Sequence, residues 1–346
     1  MPELRQDPVS QRWVIIATER AKRPSDFKAP YQEKSGSTGC PFCPGHERET
    51  PPEVLAFRAA GTAPDTPGWQ VRVVPNKFAA LAPGDDVTTE NSGLYRSMNG
   101  TGAHEVIIEG PDHNTFFPDM APDHAVQVFK AWRQRYLQLS RDKKLQYIQF
   151  FKNHGRTAGA SLEHPHSQLI ATPLVPVTVS QEMDRFKSYW QEQESCLLCD
   201  VVEAELEAGA RVTGFNSEFL AFCPFASRFP METWIVPRRH QAGFGDCDDV
   251  QLEQLAAILQ ETLVRLKKAA DDPPFNLVLH TAPLHQEDVI YHWYLELLPR
   301  LAIVAGFEWG TGMYINPTPP EIAAQSLNEI KLDQEGPAEA NRREQP

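Results

Sequence analysis

The chain lacks any long hydrophobic run. Nothing in its 346 residues approaches the roughly 20 consecutive apolar positions of a membrane helix. Residues 1–10 are polar and lack the apolar centre of a secretory signal. Both absences point to a soluble, cytoplasmic protein without a membrane partner. Basic residues are in short supply as well: 33 Lys and Arg stand against 46 Asp and Glu, a net charge of −13. That balance argues against nucleic acid as a partner, because binding its backbone needs a basic face. A small phosphorylated ligand is not excluded, since a few local arginines suffice for it. Cysteines number only six. In a cytosolic chain of this size they suit metal ligation better than disulfides.

What is present is ordinary globular material, 41% hydrophobic and 23% charged, enough for two domains. Four cysteines form two Cys-x-x-Cys pairs, Cys40/Cys43 and Cys196/Cys199, while Cys223 and Cys247 stand alone. Alternation predicts strands near residues 11–18, 70–75, 104–109, 146–151 and 166–171. Val126, Phe129, Trp132, Tyr136 and Leu139 recur at helical spacing, with Pro122 suited to a first turn, so residues 122–139 are predicted as a helix. The stretch 82–102, rich in Gly, Asp and Thr, is expected to be a mobile loop.

The second half repeats the order of the first. Cys196-Leu-Leu-Cys199 echoes Cys40-Pro-Phe-Cys43, and strand 231–236 echoes 104–109; each of these strands runs on to a histidine, His240 and His113. A helical segment at 248–268 echoes 122–139, and strand 275–280 echoes 147–152. His113 and His240 are 127 positions apart, and His164 and His292 are 128 apart. Landmarks that keep one offset in one order indicate a duplicated unit. The expected fold class is therefore α+β, two tandem units that each fold as an antiparallel sheet with packed helices. Their expected limits are 1–180 and 190–333, followed by a disordered tail over 334–346.

The sharpest motif is Glu163-His164-Pro165-His166-Ser167-Gln168. On a strand, His164, His166 and Gln168 would share one face, with Ser167 and Leu169 on the other. A neutral imidazole is a good nucleophile toward phosphorus and later a good leaving group. Gln168 cannot usefully carry a proton, but its amide can donate a hydrogen bond to a phosphate oxygen. That combination suits a transfer whose leaving group is itself a phosphate. Cys40, Cys43, His113 and His164 together make a set of tetrahedral zinc ligands, which would anchor the strand two residues from His166. Duplication predicts a second structural zinc on Cys196, Cys199, His240 and His292. Tyr294 and Glu296 replace His166 and Gln168 in the repeat, so that half is expected to be catalytically silent. His46 and His104 carry no such argument and read as ordinary polar positions.

His164-Pro-His166-Ser-Gln168 resembles the active-site strand of the galactose-1-phosphate uridylyltransferase family, in the histidine-triad superfamily. The likeness runs over roughly residues 4–330. It implies two histidine-triad-like halves, a nucleophilic His166, and Gln168 and Ser161 as hydrogen-bond donors to the phosphoryl oxygens. It also implies nucleotide, sugar or phosphate contacts from Arg20, Arg23, Asn76, Asn153, Gly159 and Glu308, and a possible homodimer. Residues 292–317, notably 306–317, and the second Cys/His set resemble a plant-type adenylyltransferase branch. In other respects the chain departs from the better-known uridylyltransferases. Glu296 and Leu298 stand where those have histidine metal ligands, although Glu182 and His280 match the other positions of that second, iron-type site. Ala302-Ile303 stands where they have a Lys-Phe pair near the sugar phosphate. The leading expectation is transfer of UMP from UDP-glucose to a hexose-1-phosphate by ping-pong chemistry. An adenylyltransferase using ADP-glucose is the alternative, a zinc-containing nucleotide-binding protein without catalysis is the alternative of another class, and a dinucleotide hydrolase is disfavoured by Gln168.

Overall fold

Apolar spacing in the two long periodic stretches produces two long helices, and the core is built on them. The computed structural model describes residues 2–17, 36–37, 39–286 and 290–332. In chain order the strands are β1 (Glu3–Gln6), β2 (Trp13–Ile16), β3 (Leu55–Arg58), β4 (Trp69–Pro75), β5 (Thr89–Ser92), β6 (Tyr95–Met98), β7 (Ala103–Ile108), β8 (Tyr147–His154), β9 (His166–Thr172), β10 (Val212–Phe215), β11 (Phe219–Phe222), β12 (Thr233–Pro237), β13 (Phe275–His280), β14 (Tyr294–Pro299) and β15 (Tyr314–Asn316). The helices are α1 (Pro122–Leu139), α2 (Val177–Gln193), α3 (Leu197–Ala208), α4 (Asp249–Ala270), α5 (Gly306–Thr311) and α6 (Pro320–Asn328).

The ends of α1 and α4 have local causes. Pro122 opens α1 where its missing N–H costs nothing. Asp248 caps α4 by accepting from the Gln251 backbone N–H at 2.8 Å, and the Gln251 side chain accepts in return from the Asp248 N–H at 3.1 Å. The helix stops at Asp271, which adopts φ 58°. Leu252, Leu255, Leu259, Leu263 and Leu266 of α4 are buried in one core with Phe129 and Trp132 of α1. Truncating a fully buried leucine such as Leu255 to Ala would cost about 2–5 kcal/mol.

Ten strands form one sheet in the order β10-β11-β12-β14-β13-β8-β9-β7-β4-β3. Outward from the β8–β13 seam the order is β9, β7, β4, β3 on one side and β14, β12, β11, β10 on the other. Sequence repetition has thus become a pseudo-twofold arrangement. The seam is antiparallel, pairing Asn153 with Asn276 and Phe151 with Val278, so the two expected sheets are continuous. One register row runs across it: Val106, Gln168, Phe151, Val278, Glu296, Trp234. Residues directly opposite in antiparallel strands project to the same face. The helical face carries Ile107, Phe150, Leu169, Leu277 and Leu295, all in the core with α1 and α4. The other face carries His166, Gln168, Asn153 and Glu296.

A smaller sheet, β1-β2-β15, ties the N-terminal strands to the C-terminal half, with β15 parallel to β2. The stretch expected to be a mobile loop contains a hairpin instead, β5 paired with β6 across Gly93, which adopts φ 60°. Its mouth is clasped by the Thr88 N–H donating to Asn99 Oδ1 at 2.8 Å. Both strands are almost wholly exposed, so they leave no hydrophobic alternation to read. No helix among the described residues is long and apolar enough to cross a membrane. The tail over 334–346 lies outside the described residues.

Candidate active site and metal centres

Strand β9 begins at His166, not before it, and this corrects one expectation. His164 precedes the strand and turns toward the cysteine pair instead of sharing the His166 face. The rest of the alternation holds. His166 and Gln168 lie on the open face, while Ser167 accepts from Trp132 Nε1 at 2.9 Å and Leu169 enters the core on the other.

Cys40, Cys43, His113 and His164 converge, with all their donor atoms within 4.8 Å of one another. Cys43 Sγ lies 3.4 Å from His113 Nδ1 and 3.6 Å from His164 Nδ1. A tetrahedral zinc, with metal–sulfur bonds of about 2.3 Å and metal–nitrogen bonds of about 2.0 Å, would separate such donors by roughly 3.5 Å. His164 Nε2–H donates to the Gly110 carbonyl at 2.8 Å, which leaves Nδ1 bare toward the sulfur. Burial holds the His164 pKa down at about 4, so the ring is neutral, as a ligand must be. Cys196, Cys199, His240 and His292 converge equally. Here the sulfur-to-Nδ1 separations are 3.6 Å from Cys196 and from Cys199 to His292, and 3.9 Å from Cys199 to His240. Both donor sets fit a closed, four-ligand metal site, and neither leaves a position for a reacting group.

His166 is buried, and its ring stands edge-on to Phe42 with centroids 5.4 Å apart. Phe42 also lies edge-on to His164 at 6.1 Å. The cysteine turn thus supplies a wall for the His166 ring as well as two sulfurs, which the Cys-x-x-Cys pattern did not indicate. His166 Nδ1 lies 2.8 Å from the His164 carbonyl oxygen, which can only accept. The proton therefore sits on Nδ1, and Nε2 keeps its lone pair. Burial lowers the His166 pKa; the bond to the His164 carbonyl opposes this in part, and the nearby Lys152 charge acts with burial, so the site favours the neutral ring.

Lys152 itself is buried under this strand. It donates to Glu109 at 2.6 Å and to the His166 carbonyl at 3.2 Å. Neither residue of this pair was singled out by the sequence reading, because a charge inside a strand pattern usually marks a solvated face.

The remaining candidates separate into groups. Asn76 lies beside Gln168, its Nδ2 3.4 Å from Gln168 Oε1. Asn153 Oδ1 accepts from Asn276 Nδ2 at 2.7 Å, and Asn276 Oδ1 accepts from Arg300 Nε at 2.6 Å, a chain across the seam that sequence reading missed. Gly159 adopts φ 94°, the left-handed region, and ends the short turn before Ser161. A Cβ there would meet the Asn153 amide at 3.5 Å. Ser161 is exposed and makes no side-chain hydrogen bond with His166 or Gln168. The Glu308 carboxylate accepts from the Ala305 N–H at 3.0 Å and caps α5, and among the described residues it makes no hydrogen bond with His166, Gln168, Asn76 or Asn153. Arg20 and Arg23 lie outside the described residues.

The pseudo-symmetric position in the second half is filled. Tyr294, the counterpart of His166, is buried and stacks on His280 at 4.2 Å with rings 7° from parallel. His280 presents its two nitrogens to different carboxylates, Nδ1 to Glu182 at 3.5 Å and Nε2 to Glu296 at 3.0 Å. Arg228 also binds Glu296, and Trp234 Nε1 donates to it at 3.1 Å. Because opposite edges of one ring serve the two acids, these groups do not converge on a single point as metal ligands would. An ion-pair network stands where the sequence reading had matched Glu182 and His280 to part of an iron-type site.

Comparison with known proteins agrees with this architecture. Residues 1–176 match the family model described as galactose-1-phosphate uridyl transferase, N-terminal domain, and residues 182–333 match its C-terminal domain. The ADP-glucose phosphorylase of Arabidopsis thaliana is 40% identical over 339 residues, 96% of this chain and 93% of that protein. The galactose-1-phosphate uridylyltransferase of Thermotoga maritima is 29% identical over 343 residues, 96% of this chain and 100% of that protein. Among solved structures, an ADP-glucose phosphorylase from Arabidopsis thaliana with bound ADP-glucose superposes with a TM-score of 0.81 at 36% identity, covering 96% of this chain and 100% of that one.

Proposed function

Since the chain belongs to the galactose-1-phosphate uridylyltransferase family, we propose that it is a nucleotidyltransferase working through His166, with an ADP-sugar as donor and inorganic phosphate as acceptor. The observation that carries the chemistry is the tautomer of His166, held by the 2.8 Å bond from Nδ1–H to the His164 carbonyl. Nε2 attacks the α-phosphorus of the donor. A nitrogen–phosphorus bond forms, the bond from the α-phosphorus to the bridging oxygen breaks, and the sugar-1-phosphate leaves with that oxygen. A phosphate oxygen then attacks the same phosphorus, the nitrogen–phosphorus bond breaks, and ADP departs. The Nδ1 proton stays in its hydrogen bond throughout, so the carbonyl offsets the positive charge that develops on the ring. A departing phosphate needs no proton, which accords with glutamine at position 168. The amide of Gln168, with Ser161 and Asn153, would donate to the phosphoryl oxygens, and Arg20 and Arg23 would meet the nucleotide phosphates.

We assign zinc to both Cys/His sets. Cys40, Cys43, His113 and His164 would hold one ion and Cys196, Cys199, His240 and His292 the other; each would cross-link its half without activating water. The breadth of the family alone puts a uridylyl donor first. The 40% identity to an ADP-glucose phosphorylase, against 29% to a uridylyltransferase, moves the adenylyl donor ahead of it. Ala302-Ile303, in place of a Lys-Phe pair, accords with an acceptor other than a hexose-1-phosphate. Hexose-1-phosphate uridylyltransferase is the second reading, supported by the family itself. Mass spectrometry of the intact protein after brief incubation with ADP-glucose or UDP-glucose separates them. An AMP-sized adduct that is lost in His166→Gly supports the proposal, a UMP-sized adduct selects the second reading, and an unmodified chain with both donors refutes covalent transfer.

A further inference from the structure

Gln168 has two chemically different ends, and only the amide nitrogen can serve a phosphoryl oxygen. Which end faces the substrate is decided by what holds the other. The Ala80 backbone N–H donates to His104 Nδ1 at 3.1 Å. A nitrogen that accepts carries no proton, so the ring proton of His104 is on Nε2. His104 Nε2 lies 2.9 Å from Gln168 Oε1, which can only accept, and the bond therefore runs from the imidazole to the amide oxygen. Asn76 Nδ2 lies 3.1 Å from His104 Nε2 and 3.4 Å from the same oxygen; with Nδ1 occupied by the Ala80 N–H, both of these nitrogens carry protons, so the Asn76 amide serves the Gln168 oxygen and not the ring. The amide nitrogen of Gln168 has no protein partner among the described residues.

His104 also holds the loop that precedes it in space. Its carbonyl accepts from the Asn76 N–H at 2.8 Å while its Nδ1 accepts from Ala80, so the segment from Asn76 to Ala80 hangs on one residue of β7 at both ends. Asn76 Oδ1 accepts from the Phe78 N–H at 2.9 Å and closes the turn.

We propose that His104 is a positioning residue: its Nε2–H locks the Gln168 oxygen, aims the amide nitrogen at a non-bridging phosphoryl oxygen of the nucleotide, and couples that aim to the 76–80 loop. This rests on the reading of His166 as the nucleophile. An imidazole suits the task because it accepts from the loop and donates to the glutamine through opposite nitrogens of a rigid ring.

Two measurements test it. Long-range proton–nitrogen NMR of the intact chain should find His104 as the Nε2–H tautomer; an Nδ1–H tautomer overturns the proposal without reference to turnover. The second is a double-mutant cycle on the single-turnover rate of adduct formation from ADP-glucose. Gln168→Ala should slow the step about 10²-fold, the size of effect that removing one oxyanion-hole donor has in acyl transfer. His104→Phe, which keeps the ring and removes both nitrogens, should slow it by at least about tenfold. The pair combined should be no slower than Gln168→Ala alone, and His104→Gln, which restores a donor and an acceptor, should recover most of the rate. Losses that multiply in the double variant, or a glutamine variant no better than phenylalanine, overturn the positioning role while adduct formation stands. A wild-type chain that forms no adduct with either ADP-glucose or UDP-glucose, although His104 is the Nε2–H tautomer, overturns the transfer reading, and the positioning role falls with it.

Discussion

Lys152 and Glu109 are both almost fully buried and 2.6 Å apart, beneath the strand that carries His166. At an effective dielectric constant of about 20, their attraction is about 6 kcal/mol. Most of that is offset by the cost of taking two charges out of water, so the net contribution of the pair is small. The two states that differ sharply are the intact pair and the broken one. Lys152→Met leaves the Glu109 carboxylate buried without a cation and removes a donor from the His166 carbonyl, and it should destabilise the protein by about 3–5 kcal/mol. Lys152→Met combined with Glu109→Met removes both charges at similar volume and should recover most of that loss. Urea unfolding of the metal-replete protein, followed by tryptophan fluorescence, measures all three variants, with Glu109→Met closing the cycle. If Lys152→Met costs under about 1 kcal/mol, or if the double variant costs as much as the two singles together, the buried pair is not an interacting unit and this account of it is wrong.

Two further outcomes follow from the second half. Burial lowers the His280 pKa, but Glu182 and then Glu296 outweigh it and push it up to about 9. A group whose folded pKa is raised stabilises the fold fully below its unfolded pKa of about 6.5 and loses that contribution as pH rises through the folded value. Unfolding free energy should therefore fall by about 3 kcal/mol between about pH 6.5 and the far side of pH 9, and His280→Gln should flatten that part of the profile; identical profiles for both proteins would contradict it. For the metal sites, elemental analysis should find two zinc ions per chain, falling to one when Cys196 and Cys199 are both replaced by Ser. One ion in the unmodified protein removes the second site.

Much of the site was legible because it is local. Two-residue alternation placed His166 and Gln168 on one face and Ser167 and Leu169 on the other, as found. The order of Cys-x-x-Cys, strand, histidine and helix, repeated at one offset, picked out two sets of four side chains that the fold does bring together. The long helices were readable from periodicity, and α1 and β13 have the bounds that periodicity predicted. The hairpin β5–β6 was not readable, because strands exposed on both faces carry no hydrophobic period. His164 was assigned to the strand because alternation says nothing about where pairing starts.

By itself, then, the sequence determined which residue types stand on which face, and how many times the unit occurs. Tertiary structure alone decided their partners. His104 and Gln168 are 64 residues apart, and Asn153 and Asn276 are 123 apart. Their contacts exist because antiparallel register sets β7 beside β9 and β8 beside β13. Register is fixed by the burial of a whole strand face at once, so no single position encodes it. The proton position on His166 was decided in the same way. It depends on a backbone carbonyl two residues back being turned toward the ring, and that follows from His164 leaving the strand to reach the cysteines.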